Sequence, residues 1–285
     1  MPIEYIQLAL GPIFVAVIAF EYWRRRDRFN GKDSLNNFIL AITFQIAEML
    51  SLLLILPLFY WLHQHRLLEI ELTAVNLLWA FVLQDFLYYW FHRASHRVHW
   101  MWSAHVVHHS SELMNYSTAF RQSLFYPLAG MWLFWSPMVW LGYDPKLVFA
   151  IVGLNLGYQF FVHTRWTKRI PIVQFWLNTP SHHRVHHGTN PQYIDKNYAG
   201  VLMIWDRLFG TFQAELDEQP VRFGVVGFME KQRWTVMVTH QWLHMFRQWR
   251  QAKGVKAKWL ALFGPPTHQR HRTRAEGADA VQPSR

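Results

Sequence analysis

The chain has 285 residues, no cysteine, a formal net charge of +10 and a hydrophobic share of 52% that includes 16 Trp and 22 Phe. The lack of cysteine excludes a disulfide framework and any thiolate metal site, so a metal here would be held by N and O ligands. The length allows one large domain or two small ones, and the basic residues stand beside apolar segments, which favours an anionic membrane surface over nucleic acid as partner.

Residues 3–23, IEYIQLALGPIFVAVIAFEYW, are long and apolar enough to cross a bilayer. No basic stretch precedes them and no small-residue cleavage site follows, so a retained span is expected in place of a cleaved signal peptide. RRRDR, Arg24 to Arg28, comes next. A second apolar run, Leu35 to Leu62, carries Glu48, and a third, Val75 to Phe91, contains Gln84 and Asp85 and leads directly into His92. The fourth, Ser123 to Leu141, holds Pro127 and Pro137, which predict kinks or a hairpin. A fifth, Lys146 to Val162, follows the short turn GYDP antiparallel to its neighbour and ends at His163.

Basic residues flanking spans set orientation. The loop after the first run has four Arg and one Lys, against Arg66 alone after the second. With Arg24 to Lys32 placed in the cytoplasm, the third and fifth runs both end there, and His92 to His109, His163 and His182 to His187 fall on one cytoplasmic side. The expectation is an all-α, multi-pass integral membrane protein of about four to five transmembrane helices, with a cytoplasmic helical cap carrying a histidine-rich di-metal site. Residues 1–70 would form the N-terminal transmembrane helices and 71–215 the catalytic domain. Residues 216–264 would be a cytoplasmic or interfacial helical region, and 265–285 a disordered basic tail in which His268 and His271 play no part. Within the third unit, residues 232–253 read equally as an interfacial helix or as a cap on the cytoplasmic domain.

Of the 17 histidines, 11 lie between residues 92 and 187, a clustering that background composition does not produce. His92-x3-His96, His105-x2-His108-His109 and His183-x2-His186-His187 have the spacing of residues that share a helix face. A neutral imidazole offers a metal a lone pair, and stacking several on one face is costly unless something binds them. Eight ligands exceed the four of a structural zinc and suit two metals; an open, nitrogen-rich site favours iron over zinc. The Glu-x-x-His motifs of soluble di-iron bundles are missing. The competing reading is a membrane transporter or sensor that relays zinc or copper along the histidines, which would require polar ligands through the bilayer midplane.

HRASH, HVVHH and HHRVHH together resemble the tripartite histidine signature of the fatty acid hydroxylase/sterol desaturase superfamily of membrane di-iron enzymes. DFLYYWFHR (Asp85 to Arg93), HHSSELMNYSTAFRQS (His108 to Ser123) and the stretch Asn178 to Phe212 look like its alkylglycerol monooxygenase branch, a similarity that covers roughly residues 80–215. The resemblance implies an O2-dependent oxidoreductase with two iron ions that hydroxylates or desaturates a lipid C–H bond. It implies His92, His96, His105, His108, His109, His183, His186 and His187 as ligands. Gln159-x3-His163 is similar to a further HxxxH pair of related hydroxylases, which adds His163 as a ligand and Gln159 beside it. Asp85, two helical turns before His92, is expected to accept a hydrogen bond from a ligand imidazole. Asn178, with Arg121, Asp195 and Asn197, is expected to support the site or a lipid headgroup. Where alkylglycerol monooxygenases tend to carry an acidic residue after the second histidine of the first box, this chain has Arg97. Tetrahydrobiopterin and a redox partner protein therefore both stand as electron donor.

Overall fold

The computed structural model describes residues 3–167, 169, 171–225 and 233–266; the tail from residue 267, with His268 and His271, lies outside the described residues. Among these the chain is all-α, with one isolated bridge between Leu177 and Leu202. Helix α1, Ile3–Arg24, is followed by α2, Gly31–Gln64, whose N-cap Asn30 accepts from the backbone N–H groups of Lys32 and Asp33. Helix α3, Ala74–Arg97, is capped by Thr73 and gives way at extended Val98 to α4, His99–His109.

The fourth apolar run is not a continuous helix. Residues 123–141 break into α5, Tyr126–Ala129, a 3-10 turn Met131–Phe134, and α6, Ser136–Leu141. Pro127 and Pro137 each sit in the first turn of a new segment, and Gly130 is left-handed at φ 84, a conformation that ends the helix before it. Among the described residues the other apolar runs lie on four long helices: α1, α2, α3 and α7, Pro145–Val162, which Asp144 caps. Two of them, α2 and α7, are long and apolar enough by composition to cross a membrane.

Only 11% of the most apolar window of α2 is buried, against 56% for α7. On α2, Phe38, Ile42, Ile46, Met49, Leu53, Leu54 and Trp61 are exposed, a contiguous apolar surface that calls for lipid or protein cover. Its inner face packs Phe59 on Phe149 of α7, with ring centroids 5.3 Å apart.

Hydrogen bonds between helix ends fix the directions. At one end, buried Glu21 of α1 accepts from Thr164 Oγ1 (2.6 Å), just past α7, and from the backbone N–H of Tyr116 (2.8 Å), while Asn115 donates to the carbonyl of Arg28. Buried Arg121 pairs with Asp33 at the start of α2. At the opposite end, Leu67 and Leu68 donate to the carbonyls of Trp140 and Leu141. The ends of α1 and α7, the start of α2 and the Arg24–Arg28 loop therefore share one end of the bundle.

The remaining helices cover that end: α8, Pro171–Trp176; α9, Pro180–His186; α10, Ile204–Leu208; α11, Trp234–Gln251; and α12, Val255–Phe263. Helix α11 buries Met237, Val238 and Met245, the first two in one cluster with Val106, Val107 and Leu40. Gln241 donates to His99 Nε2 (2.8 Å), and His99 in turn reaches the carbonyl of Ala261 in α12 (2.9 Å). Helix α11 is a cap packed on α4.

Candidate metal centre

Nine buried histidines fall into two groups. His92, His96, His105, His109 and His186 form one; His108, His163, His183 and His187 form the other, and within each group one ring nitrogen per residue lies within 4.8 Å of the rest. The groups adjoin, with the His109 and His187 rings stacked at 4.3 Å. The boxes do not map onto the groups one by one. His105 and His109 enter the first and His108 the second; His183 and His187 enter the second and His186 the first. On a helix, positions four apart diverge by only about 40°, whereas the third position lies about 60° to the other side. An HxxHH box therefore serves two neighbouring sites, not the one face that its spacing alone suggests.

The nitrogens are aimed by groups outside the clusters. His92 donates its Nδ1–H to the carbonyl of Tyr198 (2.8 Å), His163 to that of Gln159 (2.7 Å), His186 to that of Lys196 (3.0 Å) and His108 to that of Arg121 (3.3 Å); His105 Nδ1 bonds the Tyr126 hydroxyl. With Nδ1 protonated, Nε2 carries the inward lone pair. His163 and His108 then face each other through Nε2 atoms 3.1 Å apart, and His92 and His105 through Nε2 atoms 3.2 Å apart. His183 Nε2 lies 2.8 Å from His163 and 3.1 Å from His187, and His186 Nε2 is buried with no partner. Lone pairs so opposed repel unless a cation lies between them. Their spacing matches the edge, about 3 Å, of a coordination polyhedron with metal–nitrogen bonds of about 2.1 Å.

Burial, and secondarily charge repulsion between rings, holds His105, His109, His183, His186 and His187 well below the usual imidazole range. Burial brings His108 down to about 4. The rings are thus neutral near pH 7, the form that ligates a metal. The residues fit a pair of nitrogen-ligated ions, with no carboxylate in either group among the described residues.

A strap after the third box supplies two of the anchoring carbonyls. Asp195 and Asn197 adopt left-handed backbone, φ 60 and 57, and turn the intervening Lys196 and the following Tyr198 carbonyls toward His186 and His92. Asp206 fastens the strap by accepting from the N–H groups of Tyr198 (2.8 Å) and Ala199 (2.7 Å). Asp195 also pairs with Arg97 (2.9 Å) and stands 3.8 Å from His96 Nδ1, whereas Asn197 donates to the carbonyls of His182 and Gln213.

Among the described residues the side chains of Asp85, Gln159 and Asn178 bond no imidazole. Asp85 touches no imidazole: its carboxyl accepts from the N–H groups of Val201 and Leu202, from Trp205 Nε1 and from Asn155 Nδ2, each at 2.9 Å. Two helical turns place it about 10 Å along the axis from His92, out of hydrogen-bonding reach. Gln159 supports His163 through its backbone carbonyl, while its side chain joins Tyr88 and Asn155. Asn178 holds the carbonyls of Ala199 and Gly200 instead of a ring. His182 packs on Phe212, outside both groups. Tyr126, Lys196, Tyr198 and Asp206 were not anticipated; four of the five ring anchors are main-chain carbonyls, which leave no mark in sequence.

The histidines gather at one end of the bundle instead of being strung along it, an arrangement that does not suit relay of an ion across a membrane.

A fatty acid hydroxylase family profile matches residues 77–211. An alkylglycerol monooxygenase from Danio rerio is 37% identical over 277 residues, which cover 92% of this chain and 59% of that protein. The human alkylglycerol monooxygenase is 53% identical over 137 residues, 48% of this chain and 30% of that protein. An ornithine lipid hydroxylase of Rhizobium tropici is 28% identical over 168 residues, 55% of this chain and 48% of that protein. The chain thus spans less than two thirds of the length of these relatives. No solved structure matches it.

Proposed function

The chain belongs to the fatty acid hydroxylase/sterol desaturase superfamily, and from that premise we propose that it is a membrane-bound, O2-dependent lipid hydroxylase whose two histidine groups hold a pair of iron ions. The observation that carries this reading is the double cluster of inward lone pairs, His92, His96, His105, His109 and His186 beside His108, His163, His183 and His187. Iron bound there would supply the oxidising power to break an unactivated C–H bond with O2. The residues of the chain do the rest. Carbonyls and the Tyr126 hydroxyl fix ring orientation, burial keeps the imidazoles neutral, and α4, α9 and α11 shut bulk water from the site.

The membrane assignment rests on the exposed apolar face of α2 and on the long apolar helices beside it. The Arg24–Arg28 loop shares the histidine end of the bundle, which favours a cytoplasmic site under the positive-inside rule. A lipid then enters from the bilayer while electrons arrive from the cytosol, through tetrahydrobiopterin or a redox partner protein. Desaturation of the same chain is the variant outcome.

The test is metal analysis of purified protein and of its His108→Ala and His186→Ala variants, one from each group. About two irons per chain are expected in the wild type, with a loss in each variant. Unchanged metal content in both variants would refute the reading. Lipid mass spectrometry of cells with and without the chain then identifies the oxidised product.

A further inference from the structure

Between α2 and α7, closed on one side by α5 and the 3-10 turn after it, lies a cavity of about 920 Å³ that the histidine clusters do not account for. Its wall is mostly apolar, with Phe44, Leu52, Ile55, Leu56, Leu147 and Phe149 among its lining. Along α2 it runs from Phe44 to Tyr60, 16 residues or about 24 Å of helix rise. That exceeds the roughly 15 Å depth of one hydrocarbon leaflet, so a whole aliphatic chain can lie in it.

The two ends differ. Near the histidines, Phe44 packs edge-on against Tyr126 with centroids 6.0 Å apart, and Tyr126 bonds His105. Trp135, also in the wall, stacks on Tyr88, whose ring is 5.4 Å from that of His92. A ring of the wall and a second ring behind it, Phe44 with Tyr126 and Trp135 with Tyr88, therefore stand between the cavity and the first histidine group. The far end is rimmed by Tyr60, Glu71, Asn76, Asp144 and Lys146.

Glu48 breaks the apolar wall one helical turn from Phe44. Its Oε1 is buried and has no hydrogen-bond partner. An unsatisfied carboxyl in apolar surroundings is costly, and in a membrane helix such a group marks a ligand or ion site. Gln45, one turn before it on α2, lines the same cavity.

We propose that this cavity holds a single aliphatic chain whose hydroxyl-bearing end is anchored by Glu48, with the tail directed along α2 away from the histidines. The assignment rests on the lipid hydroxylase reading for its consequence, which is regiochemistry. A polar end fixed one turn of α2 from Phe44, the ring that packs on Tyr126, presents the carbons nearest the hydroxyl, and not the terminal methyl, to the metal side. Glu48 is thus a specificity-determining residue of α2, remote in sequence from every histidine box.

The test reads binding without turnover, on the full chain in lipid nanodiscs. Long-chain n-alkanol, n-alkane and n-alkylammonium of equal length compete with a diazirine-bearing n-alkanol, and labelled peptides are mapped by mass spectrometry. Label is expected on the peptides of Leu52, Ile55, Leu147 and Phe149. The alkanol should compete about tenfold better than the alkane in the wild type and in Glu48→Gln, which keeps an acceptor, and no better than the alkane in Glu48→Leu. Gly153→Phe, which puts a ring into the cavity and leaves Glu48 in place, should abolish labelling while metal content stays unchanged. An alkanol preference that survives Glu48→Leu, a preference for the ammonium, or label mapped elsewhere would overturn the proposal. Metal content is measured on the same samples, so loss of the di-iron reading and loss of the cavity assignment are scored separately.

Discussion

Asp85→Asn is the most direct probe of how the strap that follows the third histidine box, and through it His92, is held in place. The carboxyl is fully buried and meets four donors, with Val201 N–H and Asn155 Nδ2 on Oδ1 and Leu202 N–H and Trp205 Nε1 on Oδ2. An amide keeps one acceptor oxygen and turns an NH2 toward the other pair, so two donors are orphaned whichever way it is flipped. Each buried orphan costs about 1–3 kcal/mol, or about 2–6 kcal/mol for the pair, a large part of the 5–15 kcal/mol of a typical domain. The loop released leads back to Tyr198, whose carbonyl orients His92, so metal affinity should fall about tenfold or more as well. Denaturant unfolding in detergent and elemental analysis after dialysis read the two effects. A variant within about 0.5 kcal/mol of the wild type and with full metal occupancy would show that these hydrogen bonds do not secure the strap.

Gly200→Ala would place a Cβ 2.6 Å from Asn155 Oδ1, 2.8 Å from Tyr88 Cδ1 and 3.0 Å from Asp85 Oδ1. The overpacking should cost about 1–3 kcal/mol, seen as a lowered unfolding midpoint; an unchanged midpoint would contradict the close approach. Arg121→Met strips buried Asp33 of its cation and should cost about 3–5 kcal/mol. Adding Asp33→Leu should recover part of that loss, and a double variant no more stable than the single one would count against the ion pair as the cause. Burial alone would raise the pKa of Glu215, but hydrogen bonds from Arg184 and Ser181 outweigh it and the carboxyl titrates below its ordinary 4.5. A carboxyl depressed on folding stabilises above its unfolded pKa, and that contribution fades as pH falls through the folded value. Glu215→Gln should therefore destabilise the protein at pH 7, with the gap from wild type closing at acid pH below 4.5. A gap independent of pH would sink this assignment.

Much of the centre was legible because imidazoles at helical spacing are a strong local signal, and the residues after them resemble one superfamily closely. The long helices were legible from apolar length, and Pro127 and Pro137 warned that the fourth run was irregular. Asp85 was misread for a physical reason. Helical periodicity gives the direction in which a side chain points but not what approaches from 116 residues away, here the N–H of Val201. Glu48 was visible as an acid in an apolar run; its lack of a partner depends on where α7 packs.

Sequence by itself determined that this chain is helical, apolar over several long segments and endowed with three histidine boxes, since periodicity and side-chain chemistry are local properties. Only the tertiary structure decided that each HxxHH box divides between two groups, that main-chain carbonyls at Gln159, Lys196 and Tyr198 fix the rings, and that a cavity runs beside them. A carbonyl is the same in every residue and a void belongs to no residue, so both arise only when distant segments meet.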